Sequence, residues 1–118
     1  MKERIKDIVA EILYLDDPGK IADSASLYTE LNMSSIDYVD LCYLIKARLD
    51  DRVSLENLWP FDRMLLDPHY HDGKQWTDAG WQQVRAVMGW EDRAKCDLQE
   101  LYAHFSVDYI VRRIGQLA

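Results

Sequence analysis

Apolar residues recur at the spacing of an α-helix through most of this 118-residue chain, and no segment shows the alternation of a half-buried strand. The first such segment covers residues 3–15 and predicts an amphipathic helix. Its apolar positions are Ile5, Ile8, Val9, Ile12 and Leu15. We expect the helix to stop at Asp16-Asp17-Pro18-Gly19, because proline disfavours helix in the residue before it and glycine permits a turn. The pattern favours an all-α fold.

Four further segments are predicted as helices. They are residues 35–50, with a core stripe of Leu41, Leu44 or Ile45, and Leu49; a helix from Thr77 or Asp78 to about Met88; a short helix near 98–104 after Asp97; and a last helix after Ser106, with Val107, Ile110, Val111, Ile114 and Leu117 as its apolar face. Each begins after a residue that can cap a helix. Arg112 and Arg113 lie near the end of the last helix, where its dipole favours positive charge.

A long loop, residues 18–34, separates the first two predicted helices. It is rich in small and polar residues, and Leu27, Tyr28 and Leu31 are predicted to anchor it to the core. Loops of this length in a compact domain are often functional.

Composition excludes several classes of function. The net charge of −7 would repel a nucleic-acid backbone and suits partners with basic patches. Cys42 and Cys96 form no zinc-binding pattern, and Cys42 is interpreted as a core residue. No secretory signal or bilayer-spanning stretch is evident, so we expect a cytoplasmic protein without stable membrane insertion.

The sequence offers little support for an enzyme or a metal site. No paired carboxylates, phosphate-binding loop or Ser-His-Asp order stands out. His69, His71 and Asp72 are interpreted as a solvated loop rather than as metal ligands.

Residues 27–41 carry the most informative pattern, a serine at the start of a helix that follows a long loop. The hydroxyl of Ser35 is expected to be exposed, and the free backbone N–H groups at a helix start favour a phosphate. The residues alone leave open that Ser34 or Ser35 is only an N-cap.

The segment Leu31-Asn32-Met33-Ser34-Ser35-Ile36-Asp37 resembles the modification motif of acyl carrier proteins and peptidyl carrier domains. The preceding Leu27-Tyr28-Thr29-Glu30-Leu31 and the later Phe105-Ser106-Val107 are also similar to that family. The resemblance implies an acyl-carrier-like four-helix bundle with an additional helical insertion. It also implies that Ser35 carries 4′-phosphopantetheine and that the protein has no catalytic residue. We expect a single carrier domain, 1–118, with residues 51–97 as an inserted subregion.

The same resemblance implies partner-binding residues on the helix after the serine: Ile36, Val39 and Tyr43 as apolar contacts, with Asp37 and Asp40 as acidic ones. The spacing 36, 39, 40, 43 lies on one helix face. The alternative is that Val39 and Tyr43 are core residues and the aspartates are only solvated. The implied partners are a phosphopantetheinyl transferase, enzymes that load and transfer acyl groups, and an acyl chain as cargo. We expect a monomer.

Several positions depart from the family pattern. Asn32 replaces the usual glycine and tolerates a left-handed backbone better than most residues. Ser34 replaces the usual aspartate, and Lys46 and Arg48 replace acids. The extra segment 51–97 is rich in aromatic residues: Trp59, Phe61, Tyr70, Trp76, Trp81 and Trp90.

Two hypotheses concern this extra segment. In the first, its aromatic rings form the core of an added subdomain. In the second, the segment enlarges or covers a cargo cavity, or adds a docking surface. We expect a specialised fatty-acid, lipid A or polyketide pathway. The alternative function is a carrier-like helical interaction module without a prosthetic group.

Overall fold

The computed structural model describes residues 1–117, which contain seven α-helices, one short 3₁₀-helix and no strand beyond an isolated bridge. The α-helices are α1 (Lys2–Leu13), α2 (Ser35–Arg48), α3 (Leu55–Leu58), α4 (Phe61–Met64), α5 (Asp78–Met88), α6 (Leu98–Tyr102) and α7 (Val107–Gln116), and the 3₁₀-helix is Pro18–Lys20. The predicted all-α fold is confirmed. The long helices are α1, α2, α5 and α7, and α1 packs against both α2 and α7.

Helix α1 ends earlier than its apolar pattern predicts. Tyr14 adopts a left-handed backbone with φ 57°, and its N–H donates to the carbonyl of Ala10. This turn satisfies a carbonyl group that the helix end leaves free. Leu15, predicted as the last core position, therefore lies beyond the helix and is 38% exposed. Leu15 has the sequence spacing of a core position, but the chain turns at Tyr14, before Leu15 can reach the core.

A cluster of aromatic rings joins the middle of the chain to its C-terminal helix. The ring centroid of Trp59 lies 4.7 Å from that of Phe61, 5.1 Å from Phe105 and 5.2 Å from Tyr109. These four side chains are at most 3% exposed, and the Tyr109 hydroxyl donates to the Leu58 carbonyl at 2.7 Å. The packing therefore spans the boundary of the 51–97 segment, whose buried side chains belong to the same hydrophobic cluster as those of α1, α2 and α7.

The six aromatic residues of the extra segment contribute unequally to the core. Trp59, Phe61, Trp76 and Trp81 are buried, whereas Tyr70 and Trp90 are half-buried. The expectation that these rings form core is thus met by four of them. Their packing is continuous with the rest of the molecule and not separate from it.

Two arginines near the end of α7 form hydrogen bonds with other helices. Arg112 donates to the carbonyl of Met88 at 3.0 Å, and Arg113 donates to the carbonyl of Asn57 at 2.7 Å. Both acceptors lie at helix C-termini, where carbonyl groups lack intrahelical partners. The arginines therefore tie α7 to the ends of α5 and α3.

Helix α5 begins with a close backbone contact. Thr77 is its N-cap, and the Thr77 hydroxyl accepts from the N–H of Gly80 at 3.0 Å. A Cβ atom at Gly80 would lie 1.9 Å from the carbonyl oxygen of Tyr70. Gly80 is therefore explained by the close approach of the 67–74 loop, although glycine weakens a helix.

Replacement of Gly80 by alanine tests this contact. We expect Gly80→Ala to lower the free energy of unfolding by about 3 kcal/mol, because the Tyr70 backbone must move. Gly115→Ala in α7 is the control, since a Cβ there meets nothing within 4 Å. It should stabilise the protein by about 0.5–1 kcal/mol. Chemical denaturation measures both, and equal effects of the two variants would contradict the assignment.

Candidate functional site

The long loop before α2 is held against the C-terminal part of the chain. The N–H of Leu27 donates to the carbonyl of Phe105 at 2.8 Å, and the Ser26 hydroxyl donates to the carbonyl of Tyr102 at 2.7 Å. Leu27 is fully buried, while Tyr28 and Leu31 are half-buried against the core. All three predicted anchors are confirmed. The loop consequently delivers the chain to the start of α2 in a defined position.

Asn32 makes the turn that leads into α2. Its backbone is left-handed, with φ 57°, a region that most non-glycine residues avoid. The N–H of Met33, the next residue, returns to the carbonyl of Leu27 at 2.9 Å, and the Met33 side chain is buried. Asparagine thus performs here the turn expected at the family's glycine position.

A capping box begins α2 and separates the roles of the two serines. The Ser34 hydroxyl accepts from the N–H of Asp37 at 3.2 Å, and the Asp37 carboxylate accepts from the N–H of Ser34 at 2.9 Å. Ser34 is therefore the N-cap, and Ser35 is the first helical residue. Ser35 is exposed, and its hydroxyl makes no hydrogen bond within residues 1–117.

The first turn of α2 provides a field that suits a phosphate. The first N–H groups of a 14-residue helix have no intrahelical acceptors, and the helix dipole is positive at this end. The carboxylate of Asp37, the acid of this turn, faces the Ser34 N–H. The exposed hydroxyl and the helix end together fit a phosphodiester on Ser35.

The predicted contact residues share one exposed face of α2. Ile36 is 73% exposed, Val39 48% and Tyr43 70%, and Asp40 is exposed beside them. The alternative that Val39 and Tyr43 are core residues is therefore wrong. Asp37 is half-buried and its carboxylate is engaged in the capping box, so it differs from the other four.

The opposite face of α2 packs into the core. Leu41 and Ile45 are fully buried, whereas Leu44 and Leu49 are half-buried, so Ile45 fills the core position for which Leu44 was the alternative. Leu49 lies just beyond the helix, which ends at Arg48 and not at 50.

Tyr38 is an important residue of this site that the sequence analysis missed. Its hydroxyl donates to the carbonyl of Leu55 at 2.7 Å and accepts from the N–H of Trp59 at 3.1 Å. Burial, assisted by the Cys42 thiol, raises the pKa of Tyr38. Tyr38 precedes Ile45 by seven residues, and this helical spacing was the available signal.

The two thiols have different surroundings. Cys42 is buried beside Tyr38, as predicted for a core residue, and burial raises its pKa to about 11. A protonated, buried thiol is a poor nucleophile toward thioesters. Cys96 is half-buried, and burial also raises its pKa.

The histidine-containing loop is organised by its own backbone. The Nδ1 atom of His71 accepts from the N–H of Gly73 at 3.0 Å, and Asp72 accepts from the N–H groups of Lys74 and Gln75. These two backbone bonds lower the pKa of Asp72, with Gln75 the larger cause. Residues 1–117 contain no group of three or more His, Cys, Asp or Glu side chains arranged to hold a metal ion.

Comparison with known proteins decides the family. Two curated proteins named acyl carrier protein, both from Brachyspira hyodysenteriae and one of them from strain WA1, are 36% identical to this chain over 55 residues. The match covers 70% of each relative and 47% of this chain. The chain belongs to the acyl carrier protein family. No protein-family model matches it, and no solved structure matches it.

Both relatives are named as carriers and not as enzymes. More than half of the chain lies outside the aligned 55 residues. No helix within residues 1–117 is long and apolar enough to span a bilayer.

The capping box predicts the effect of changing Ser34. Ser34→Ala should lower the free energy of unfolding by about 1 kcal/mol, because the N–H of Asp37 loses its acceptor. Ser34→Asp should remain close to wild type, since aspartate is an equally good N-cap. Denaturant titration measures both variants, and a Ser34→Ala protein as stable as wild type would show that the Ser34 hydroxyl does not stabilise the helix start.

Proposed function

We propose that this protein carries acyl groups as thioesters on a 4′-phosphopantetheine arm attached to Ser35. The observation that carries the proposal is that the two serines at the start of α2 have different roles. Ser34 caps the helix, while the neighbouring Ser35 hydroxyl is exposed and has no hydrogen bond within the described residues. When bound, the arm supplies the thiol on which acyl groups are held.

The chain's own residues would place the attachment point rather than react with the cargo. Ser35 would hold the arm through its Oγ, and the N–H groups of the first turn would stabilise the phosphate charge. Leu27, Asn32 and Met33 would keep the approach to the helix in one conformation. Burial raises the pKa of the Cys42 thiol, so this thiol would stay protonated and would not attack a thioester.

The exposed face of α2 supports contact with enzymes. Ile36, Val39 and Tyr43 expose apolar side chains beside the carboxylate of Asp40. An apolar patch with an acidic neighbour suits partners whose surface combines apolar and basic residues. The proposed partners are a phosphopantetheinyl transferase and enzymes that load or transfer acyl groups. The long aromatic segment favours a specialised pathway over bulk fatty-acid synthesis.

A second candidate function is a carrier-like interaction module without an arm. It is favoured by Ser34, which replaces the family's usual aspartate next to Ser35, and by the same exposed face of α2. This alternative retains partner binding and does not require Ser35.

Modification of Ser35 separates these two functions. Incubation with a broad-specificity phosphopantetheinyl transferase and coenzyme A should add the mass of one phosphopantetheine to the wild-type protein. Ser35→Ala should stay unmodified, because the attachment oxygen is missing. Ser34→Ala is the matched control, and it should still accept the arm. Intact-mass spectrometry reads all three. A folded wild-type protein that several transferases leave unmodified would support the module without an arm.

The contribution of α2 to transferase binding is tested by reversing one charge. Asp40→Lys should slow modification several-fold at low salt, and added salt should reduce the difference. Asp16→Lys changes the net charge equally at an exposed position beyond α1 and should have a much smaller effect. Initial rates of modification at two salt concentrations provide the measurement. Equal slowing by both variants would indicate overall charge rather than a contact at α2.

A further inference from the structure

A surface groove lies on the extra segment, between the outer sides of α3 and α4 and the residues that follow them. Its volume is about 610 Å³, which lies within the roughly 300–1,000 Å³ typical of small-molecule sites. Much of its lining is apolar, from Pro60, Met64, Leu66, Pro68 and Tyr70. The proposed function and the comparisons assign no role to this groove.

The groove combines an apolar lining with charged side chains at its exposed positions. Met64 is buried, whereas Leu66 is 86% exposed. Glu56, Arg63 and Asp67 are the charged residues of the lining, and all three are exposed. Such a groove suits a ligand with a long apolar part that lies along the surface and a polar end that stays in water.

The interior next to α2 is already filled by aromatic rings. Trp59, Phe105 and Tyr109 are at most 3% exposed, and their ring centroids lie 5.1–5.6 Å apart. Protein interiors are close-packed, so a chain of methylene groups that entered here would have to displace these rings. The open groove can be occupied without displacing these rings.

Helix α3, which contributes to the groove, is hydrogen-bonded to α2 near the start of that helix. The Tyr38 hydroxyl, one turn after Ser35, donates to the carbonyl of Leu55 at the start of α3. Glu56, the next residue of α3, lines the groove. Apolar side chains are exposed on both sides of this junction, because Val39 is 48% exposed and Leu55 is 42% exposed. An arm on Ser35 would therefore start near the helix that contributes Glu56 to the groove.

The far side of the groove is preformed. The carbonyl of Tyr70 accepts from the N–H of Thr77 at 2.9 Å, and Gly80 packs directly against the Tyr70 backbone. These contacts tie one wall of the groove to the start of α5. A preformed wall reduces the ordering cost of binding.

We propose that this groove holds the acyl chain carried on Ser35, with the chain lying against Met64, Leu66 and Tyr70. The inference rests on the proposed function, since the cargo reaches the groove through the Ser35 arm. It assigns the extra segment a role in sheltering apolar cargo outside the filled core.

The methionine side chains provide the reporters for a test. Protein labelled with ¹³C at the methionine methyl groups is modified with octanoyl-phosphopantetheine, and its NMR spectrum is compared with that of the protein bearing the unacylated arm. The Met64 signal should shift on acylation, because Met64 lines the groove. The Met88 signal should stay in place, since Met88 is buried at the end of α5.

The outcomes of this test separate the inference from the function on which it rests. Failure to obtain any modified protein would overturn the proposed function. Modified protein in which octanoylation leaves the Met64 signal unmoved would overturn the groove alone. A shift confined to signals other than Met64 would do the same, and it would place the chain elsewhere.

A substitution in the groove gives an independent readout. Leu66→Asp should speed cleavage of the octanoyl thioester by hydroxylamine several-fold, because the chain loses an apolar contact and leaves the groove more often. Tyr14→Asp is the matched control, since Tyr14 is 92% exposed and lies at the end of α1. An acetyl thioester should be cleaved at the same rate in all three proteins. Equal octanoyl cleavage in wild type and Leu66→Asp would overturn the proposal, even if Leu66→Asp weakened binding to a partner protein.

Discussion

The indole of Trp59 lies where the inserted part of the chain meets the helices on either side of it. Its ring packs against Phe105 and Tyr109 near the start of α7, and its backbone N–H is held by the Tyr38 hydroxyl of α2. The indole N–H itself is buried without an acceptor among the described residues, a loss of about 1–3 kcal/mol. Edge-to-face ring contacts of about 0.5–1.5 kcal/mol each offset that loss. Because Trp59 joins α2 to α7 through α3, the position of α2 depends on it.

The site at the start of α2 follows from this arrangement. One face of the helix is anchored by Leu41 and Ile45, and Tyr38 fixes its first turns to α3. The other face is left to solvent with Ile36 and Tyr43 exposed. The helix thus packs one apolar face into the core and leaves the other exposed, a pattern typical of interaction surfaces.

Much of the fold could be predicted from local signals, because helix starts are encoded by the residues that cap them. Ser34, Thr77, Asp97 and Ser106 each accept a backbone N–H through the side chain, and helices begin directly after all four. The helix ends were predicted less well. Leu15 fell outside α1, because the left-handed Tyr14 turns the chain, and no glycine announced that turn.

For the candidate site, the sequence by itself determined that a serine opens an amphipathic helix after a long anchored loop, since periodicity and caps are local properties. The three-dimensional structure decided which serine caps the helix and which is left exposed, because the capping box between Ser34 and Asp37 depends on the backbone direction at Ser34. It also decided that Val39 and Tyr43 face solvent, while Tyr38 and Tyr109 are bonded to the carbonyls of α3 residues. The tyrosine bonds and the exposed face of α2 depend on contacts between residues far apart in the chain, which no local pattern specifies.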